Sequence, residues 1–252
     1  MLNIVIVGTG NVAKQLHDHL LGCPIIRKLQ VLARNEEARD HFDEGVLVFG
    51  TESVMPDVDI FLIAVSDGQI SAVSDRLKGK KGLIAHTAGS VPMEVLKAHQ
   101  NHGVFYPLQT FSKARKVAFD NIPICIEANT PENQRLLGNL ASSLTKEIHP
   151  IDTQQRKGLH LAAVFANNFT NHMYHLANEI CKERGVSFDL LKPLILETAQ
   201  KIEDGLPLDM QTGPARRNDT AILNGHLGAL QNLELKETYR IISKSISNTY
   251  NQ

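Results

Sequence analysis

Cysteine is scarce in this chain and scattered. Cys23, Cys125 and Cys181 lie far apart, with no Cys-x-x-Cys pair and no cysteine–histidine cluster. A disulfide framework and a structural zinc site are therefore not expected, no metal is expected at the site, and a reducing cytoplasm is the expected compartment. A surplus of either charge is missing too: 26 Lys and Arg face 27 Asp and Glu. That balance gives no basis for nucleic acid or an anionic membrane as partner. No apolar run approaches the roughly 18 residues that span a bilayer. No basic leader precedes the first apolar stretch, which Gly8 and Gly10 interrupt, so no targeting segment is expected. Tryptophan, internal repeats and low-complexity segments are absent as well. What remains is a 252-residue chain with 42% hydrophobic residues, enough to bury a core in one large domain or two modest ones.

The first part alternates apolar runs with amphipathic ones. "NIVIVG", "KLQVLAR", "VLVFG", "VDIFLIAVS", "KGLIAHTAG", "HGVFYPLQ", "NIPICIEAN" and "KEIHPI" read as strands. Continuous Val, Ile and Leu, rather than alternation with polar residues, marks strands covered on both faces. Between them "NVAKQLHDHLLG", "EEARDHFDE", "GQISAVSDRLKG", "VPMEVLKAHQ" and "PENQRLLGNLASSL" read as helices. Such βα alternation predicts an α/β fold with a doubly wound, mainly parallel sheet over residues 1–150. From Asp152 onward no strand is expected. A long helix over Gln154–Arg184, a turn at "RGVSFD", a helix over "LLKPLILETAQKIED", a loop "GLPLDMQTGPARRND" and two further helices make 151–252 an all-α domain.

Gly8, Gly10 and Ala13 fit G-x-G-x-x-A between a strand and a helix. Gly8 permits the tight turn, Gly10 lets a pyrophosphate approach the backbone, and Ala13 lets the helix pack on the strand. The phosphates would sit at the helix N-terminus, with Thr9, Asn11 and Val12 completing the turn. An ordinary ligand-free turn is the alternative. The second strand ends on Arg34, followed by Asn35. An acidic residue there would bind the ribose of NAD, whereas an arginine accommodates the 2′-phosphate of NADP. A solvent-exposed arginine is the other reading.

Ligands of such sheets lie at the carboxyl ends of the strands. Three more loops fall there: "AVSDGQI" (with Ala64, Val65, Ser66 and Asp67), "HTAGS" (with His86, Thr87, Ala88 and Gly89, and Ser90 placed to cap the next helix) and "YPLQTFS". All three are assigned to the nicotinamide half, with Gln109 of the third a substrate candidate; a plain polar turn is the other reading of each. On the long helix, 100° steps bring His160, Asn167, Asn171 and His175 into one sector, with Asn168 at its edge. This stripe is either a surface face or an active-site wall. As the wall, His160 is the candidate catalytic acid and Asn168 orients substrate or cofactor, with Asn167 beside it. In the loop "MQTGPARRND", Thr212 and Arg216 are substrate candidates. Arg216 and Arg217 are expected in the first turn of a helix, the wrong end for cations, so an anion or a salt bridge would explain them.

Together "IVIVGTGNVAKQL", "LARN", "AVSDGQI", "HTAGS", "PLQTFS", "HLAAVFANN" and "TGPARRNDT" resemble the Rossmann-like proteins whose C-terminal half is the domain of unknown function 2520, commonly labelled NADP oxidoreductases. The resemblance covers nearly the whole chain. Pyrroline-5-carboxylate reductases, a deazaflavin-dependent NADP oxidoreductase and β-hydroxyacid dehydrogenases are wider relatives. The resemblance implies NADP(H) at Gly8–Ala13 and Arg34, and a homodimer formed through the helical domain. It supplies no reaction. The dehydrogenases' catalytic lysine, four residues before an asparagine, is not matched: His160 stands at that place and Val164 follows four on. Histidine often precedes "PLQTFS" in the family, where this chain has Tyr106. The resulting expectation is an NADPH-dependent reductase of a small C=O or C=N compound. A non-catalytic NADP(H) sensor acting through a protein partner is the alternative, because one fold serves both roles.

Overall fold

The computed structural model describes residues 1–34, 36–37, 42, 45–48, 56–112 and 115–251. Its two compact units are Met1–Asn168 and Phe169–Gln252. The division expected after residue 150 follows the last strand; by compactness the first unit runs on to Asn168.

The first unit is an α/β unit built on one eight-stranded sheet: β1 (Leu2–Val7), β2 (Ile26–Ala33), β3 (Val46–Val48), β4 (Ile60–Ile63), β5 (Leu83–His86), β6 (His102–Pro107), β7 (Ile124–Ala128) and β8 (Ile148–Pro150). Their order is β3-β2-β1-β4-β5-β6-β7-β8. Every neighbouring pair is parallel except β6 with β7. The strand order reverses between β1 and β4, which opens the ligand crevice of doubly wound sheets at their carboxyl ends.

Successive side chains of a strand point to opposite faces, and here both faces are covered. Ile4, Ile6, Ile60, Leu62, Leu83 and Ala85 pack against Ala13, Leu16 and Leu20 of α1 (Asn11–Leu20) and Leu137, Leu140 and Ala141 of α3 (Pro131–Ser142). Their alternates Val5, Val7, Phe61, Ile63 and Ile84 pack on the other face with Ile70 of α2 (Ile70–Arg76), Leu77 and Leu96. This explains why the strands read as unbroken apolar runs.

Two local expectations are not met. "VPMEVLKAHQ" makes only a 3-10 turn, Met93–Leu96. Its closing bonds are i→i+3, Lys97 N–H to Glu94 and His99 N–H to Leu96, and the His99 ring is committed to Ser74 Oγ at 2.8 Å. Ser90 does not cap that turn; its hydroxyl donates to Asp67 instead. The expected helix "EEARDHFDE" lies mostly outside the described residues.

The last helix of the first unit is α4 (Thr153–Ala163), opened by Asp152 and Gln155 in a reciprocal capping box. A π-helical turn, Val164–Phe169, follows it, and α5 (Thr170–Glu183) comes next. The uniform 100° step assumed for His160–His175 therefore fails: a π turn carries an extra residue and rotates everything after it. The second unit has α5, α6 (Lys192–Asp204), a short α7 (Pro207–Met210) inside the expected loop, α8 (Thr220–Ala229) and α9 (Leu233–Tyr250), and no strand among its described residues. Arg216 and Arg217 are not in a helix. Asn218, at φ +53°, turns the chain, and the Asp219 carboxylate caps α8 by accepting from Ile222 N–H at 3.2 Å. The helix-dipole argument for the two arginines falls with that.

Candidate functional site

The carboxyl ends of β1, β4 and β5 meet at the crevice. Gly8 N–H donates to Leu32 O at 3.0 Å, Ala64 N–H to Val7 O at 2.8 Å and Thr87 N–H to Ile63 O at 3.1 Å. Gly8 is required twice over. Its φ is +122°, and a Cβ there would lie 2.3 Å from Ala64 O. Gly10 differs. Its φ of −76° and ψ of −175° suit any residue, and nothing lies within 4 Å of where a Cβ would be. The fold does not demand a glycine there, and the backbone at Gly10 is left open to close approach. Ala13 is fully buried against β1. No side chain caps α1, so its first N–H groups and its positive end face that space.

The other expected cofactor residues are spread around this rim. Arg34 is exposed directly after β2; Asn35 lies outside the described residues. Ser66 and Asp67 are exposed, and the Ser90–Asp67 bond ties the β4 loop to the β5 loop. Ala64, His86, Thr87, Ala88 and Gly89 are buried, so at these positions the loops offer backbone rather than side chains. His86 accepts from Ala88 N–H at Nδ1, 3.2 Å away. Burial, with the nearby Arg156 charge, holds His86 down to about 4, so the ring is neutral at physiological pH. The Asn11 amide donates to Phe111 O at 2.9 Å and binds the loop after β6 to the start of α1. Gln109 is exposed in that loop, its own Oε1 accepting from Thr110 N–H.

Two residues organise this end of the sheet. Arg156 on α4 is fully buried. Its Nη1 donates to the carbonyls of Ala88, Gly89 and Val91 at 3.1, 3.0 and 2.8 Å, and its Nη2 to Glu127 Oε2 at 3.0 Å and Thr153 Oγ1 at 3.1 Å. Glu127 also accepts from Thr153 N–H at 2.9 Å. One guanidinium thus holds the whole β5 loop. Four residues on, His160 places Nδ1 3.0 Å from the hydroxyl of Tyr106. Asn167 and Asn168 are exposed in the π turn. Nothing in the sequence distinguishes Arg156 from its neighbour Lys157; only the fold buries one of them.

Thr212 and Arg216 belong to the second unit. Arg216 donates to Gln211 O and lies over the Tyr250 ring, 5.2 Å from its centre. Thr212 lines a cavity of about 560 Å³ with Met173, Leu176, Leu235 and Ile242. Among the described residues, no group of three or more His, Cys, Asp or Glu could hold a metal ion, and no helix is long and apolar enough to cross a membrane.

Residues 122–246 match the family model of the domain of unknown function DUF2520. No protein of the curated set matches the chain. Among solved structures, a Bacteroides fragilis protein provisionally described as an NADP oxidoreductase is 38% identical over 98% of both chains, with a TM-score of 0.90. A pyrroline-5-carboxylate reductase from Coxiella burnetii shares 18% identity over 98% of this chain and 96% of that one, with a TM-score of 0.60. An imine reductase from Myxococcus stipitatus in complex with NADP+ shares 12% identity over 98% and 92%, with a TM-score of 0.65. The last two likenesses are of fold. The 38% identity over nearly the whole of both chains, with the domain match, makes this chain a member of the Rossmann-type family that carries the DUF2520 domain.

Proposed function

We propose that this protein is an NADPH-dependent oxidoreductase that passes hydride to a small C=O or C=N compound. The observation that carries this reading is the contrast between the two glycines of the first turn. Gly8 is imposed by the fold, whereas Gly10 leaves an open approach to the uncapped start of α1, the place where a helix receives a phosphate. The exposed Arg34, just past β2, suits the 2′-phosphate of NADP. The Bacteroides relative and the NADP+ complex of the imine reductase support the same cofactor.

Bound there, NADPH supplies a hydride to the carbon of the substrate double bond. The β5 loop, pinned by Arg156, gives that half of the site a fixed backbone floor. His160 delivers the proton that the oxygen or nitrogen takes up as the carbon is reduced. The exposed amides of Gln109, Asn167 and Asn168 orient the substrate. Thr212 and Arg216 carry no part of this reading. In solution two copies pair through the second unit, which leaves Leu190, Leu194, Leu206 and Ile241 between 60% and 70% exposed.

The test follows reduced-nicotinamide fluorescence as protein is titrated into NADPH and into NADH, with wild type and Arg34→Asp side by side. NADPH should bind more tightly, and Arg34→Asp should erase the preference. NADPH oxidation is then read with small ketones, 2-oxo acids and cyclic imines. Tight NADPH binding with no turnover on any of them would favour a sensor; no binding at all would end the oxidoreductase reading.

A further inference from the structure

We infer that Tyr106 is the positioning residue for His160: its hydroxyl holds Nδ1, so that Nε2 is the nitrogen presented for proton transfer, and Gly89 is glycine because it makes room for the pair. The inference rests on the assignment of His160 as proton donor and deepens it.

Three observations converge. Tyr106 sits near the end of β6, 9% exposed, packed with Val104 and Cys125. Its ring has no freedom to swing away, and its hydroxyl meets Nδ1 at 3.0 Å with the two rings edge to face, 5.9 Å between centres. Second, a Cβ on Gly89 would lie 2.6 Å from His160 Nδ1, 2.8 Å from its Cγ and 2.7 Å from Tyr106 Cζ. Gly89 has no left-handed φ, so the backbone does not ask for glycine; the touching rings do. Third, Arg156 grips Gly89 O at 3.0 Å and lies four residues before His160, on the same face of α4. One helix face therefore carries both the anchor of the Gly89 loop and the imidazole that packs on it.

The chemistry suits a proton donor. A phenol hydroxyl both donates and accepts. Its oxygen accepts from Nδ1–H of the imidazolium, and the neutral ring left when the Nε2 proton goes still carries Nδ1–H, so the same contact holds His160 before and after transfer. Burial first, and the Cys125 thiol second, push Tyr106 up to about 12, so it keeps its own proton and orients His160 rather than competing with it.

The experiment reads the imidazole nitrogens of the ¹⁵N-labelled full-length chain above the histidine titration range, without cofactor, with His160 assigned by His160→Gln. In wild type, neutral His160 should carry its proton on Nδ1, donated to the Tyr106 oxygen, and its Nε2 should show the resonance of a bare ring nitrogen. Tyr106→Phe keeps the ring and removes the hydroxyl; the proton should move towards Nε2, the form free histidine favours, while the buried His86 signals stay in place. Gly89→Ala leaves the tyrosine intact but should displace the pair and move the proton the same way. A proton on Nε2 of the neutral wild-type ring, or a tautomer unmoved by Tyr106→Phe, overturns the inference. Failure of wild type to bind NADPH would instead undo the reductase reading, so the two failures are told apart.

Discussion

The two units are held together very differently. In the first, every residue of β4 and β5 is buried and both faces of the sheet are covered by helices. In the second, among the described residues, only Ala215 and Leu235 are buried, while Leu194 and Leu196 are 62% exposed and Leu206 69%. Folding must offset about 1–2 kcal/mol of backbone entropy per residue, and apolar burial is the main term that does so. The first unit supplies that burial from its own chain. The second leaves apolar surface for something else to cover, a second copy in the reading above. Rigid backbone at the crevice and an unfinished helical surface are thus consequences of one sequence distributing its apolar residues unevenly.

The comparison is broken most severely at Arg156. Arg156→Met strands Glu127 and three loop carbonyls, and removing one partner of a buried pair costs about 3–5 kcal/mol. Urea unfolding should show that loss, while Lys157→Met, one residue along on an exposed site, should stay within about 0.5 kcal/mol. His86 should give the first unit an acid weakness. Held to about 4 when folded, it takes up a proton on unfolding between about pH 4 and its ordinary value near 6.5. Stability is therefore full above about pH 6.5 and falls by about 3 kcal/mol as the pH drops towards 4. Unfolding measured across that range should be flatter in His86→Gln. In the second unit, Leu194→Ser with Ile241→Ser should each cost less than about 0.5 kcal/mol in a dilute monomer, yet shift sedimentation towards the single chain. Equal losses in both units would remove the contrast.

Much of the first unit was legible because its signals are local. Ile4–Val7 announces a doubly covered strand, and Gly8, Gly10 and Ala13 announce the turn at fixed spacing. The absence of strand pattern after Asp152 likewise marks the helical part. What stayed hidden depends on distant partners or on small backbone choices. Arg156 and Lys157 look alike until the fold turns one inward. Tyr106 and His160 are 54 residues apart, and Tyr106 looked like a departure from the family rather than half of a pair. The π turn has no composition of its own, so a stripe computed at 100° per residue ran past it. Asn218 ended the expected helix start at Arg216 and Arg217, because a left-handed residue followed by an aspartate cap begins α8 later.

The most direct test of the central claim replaces Gly10 by valine and follows NADPH fluorescence alongside thermal unfolding. The backbone at residue 10 suits valine and the space beyond it is open, so stability should change by no more than about 1 kcal/mol. NADPH binding should be abolished, because the new side chain occupies the approach to the helix start. A folded Gly10→Val protein that binds NADPH as wild type does would contradict the account.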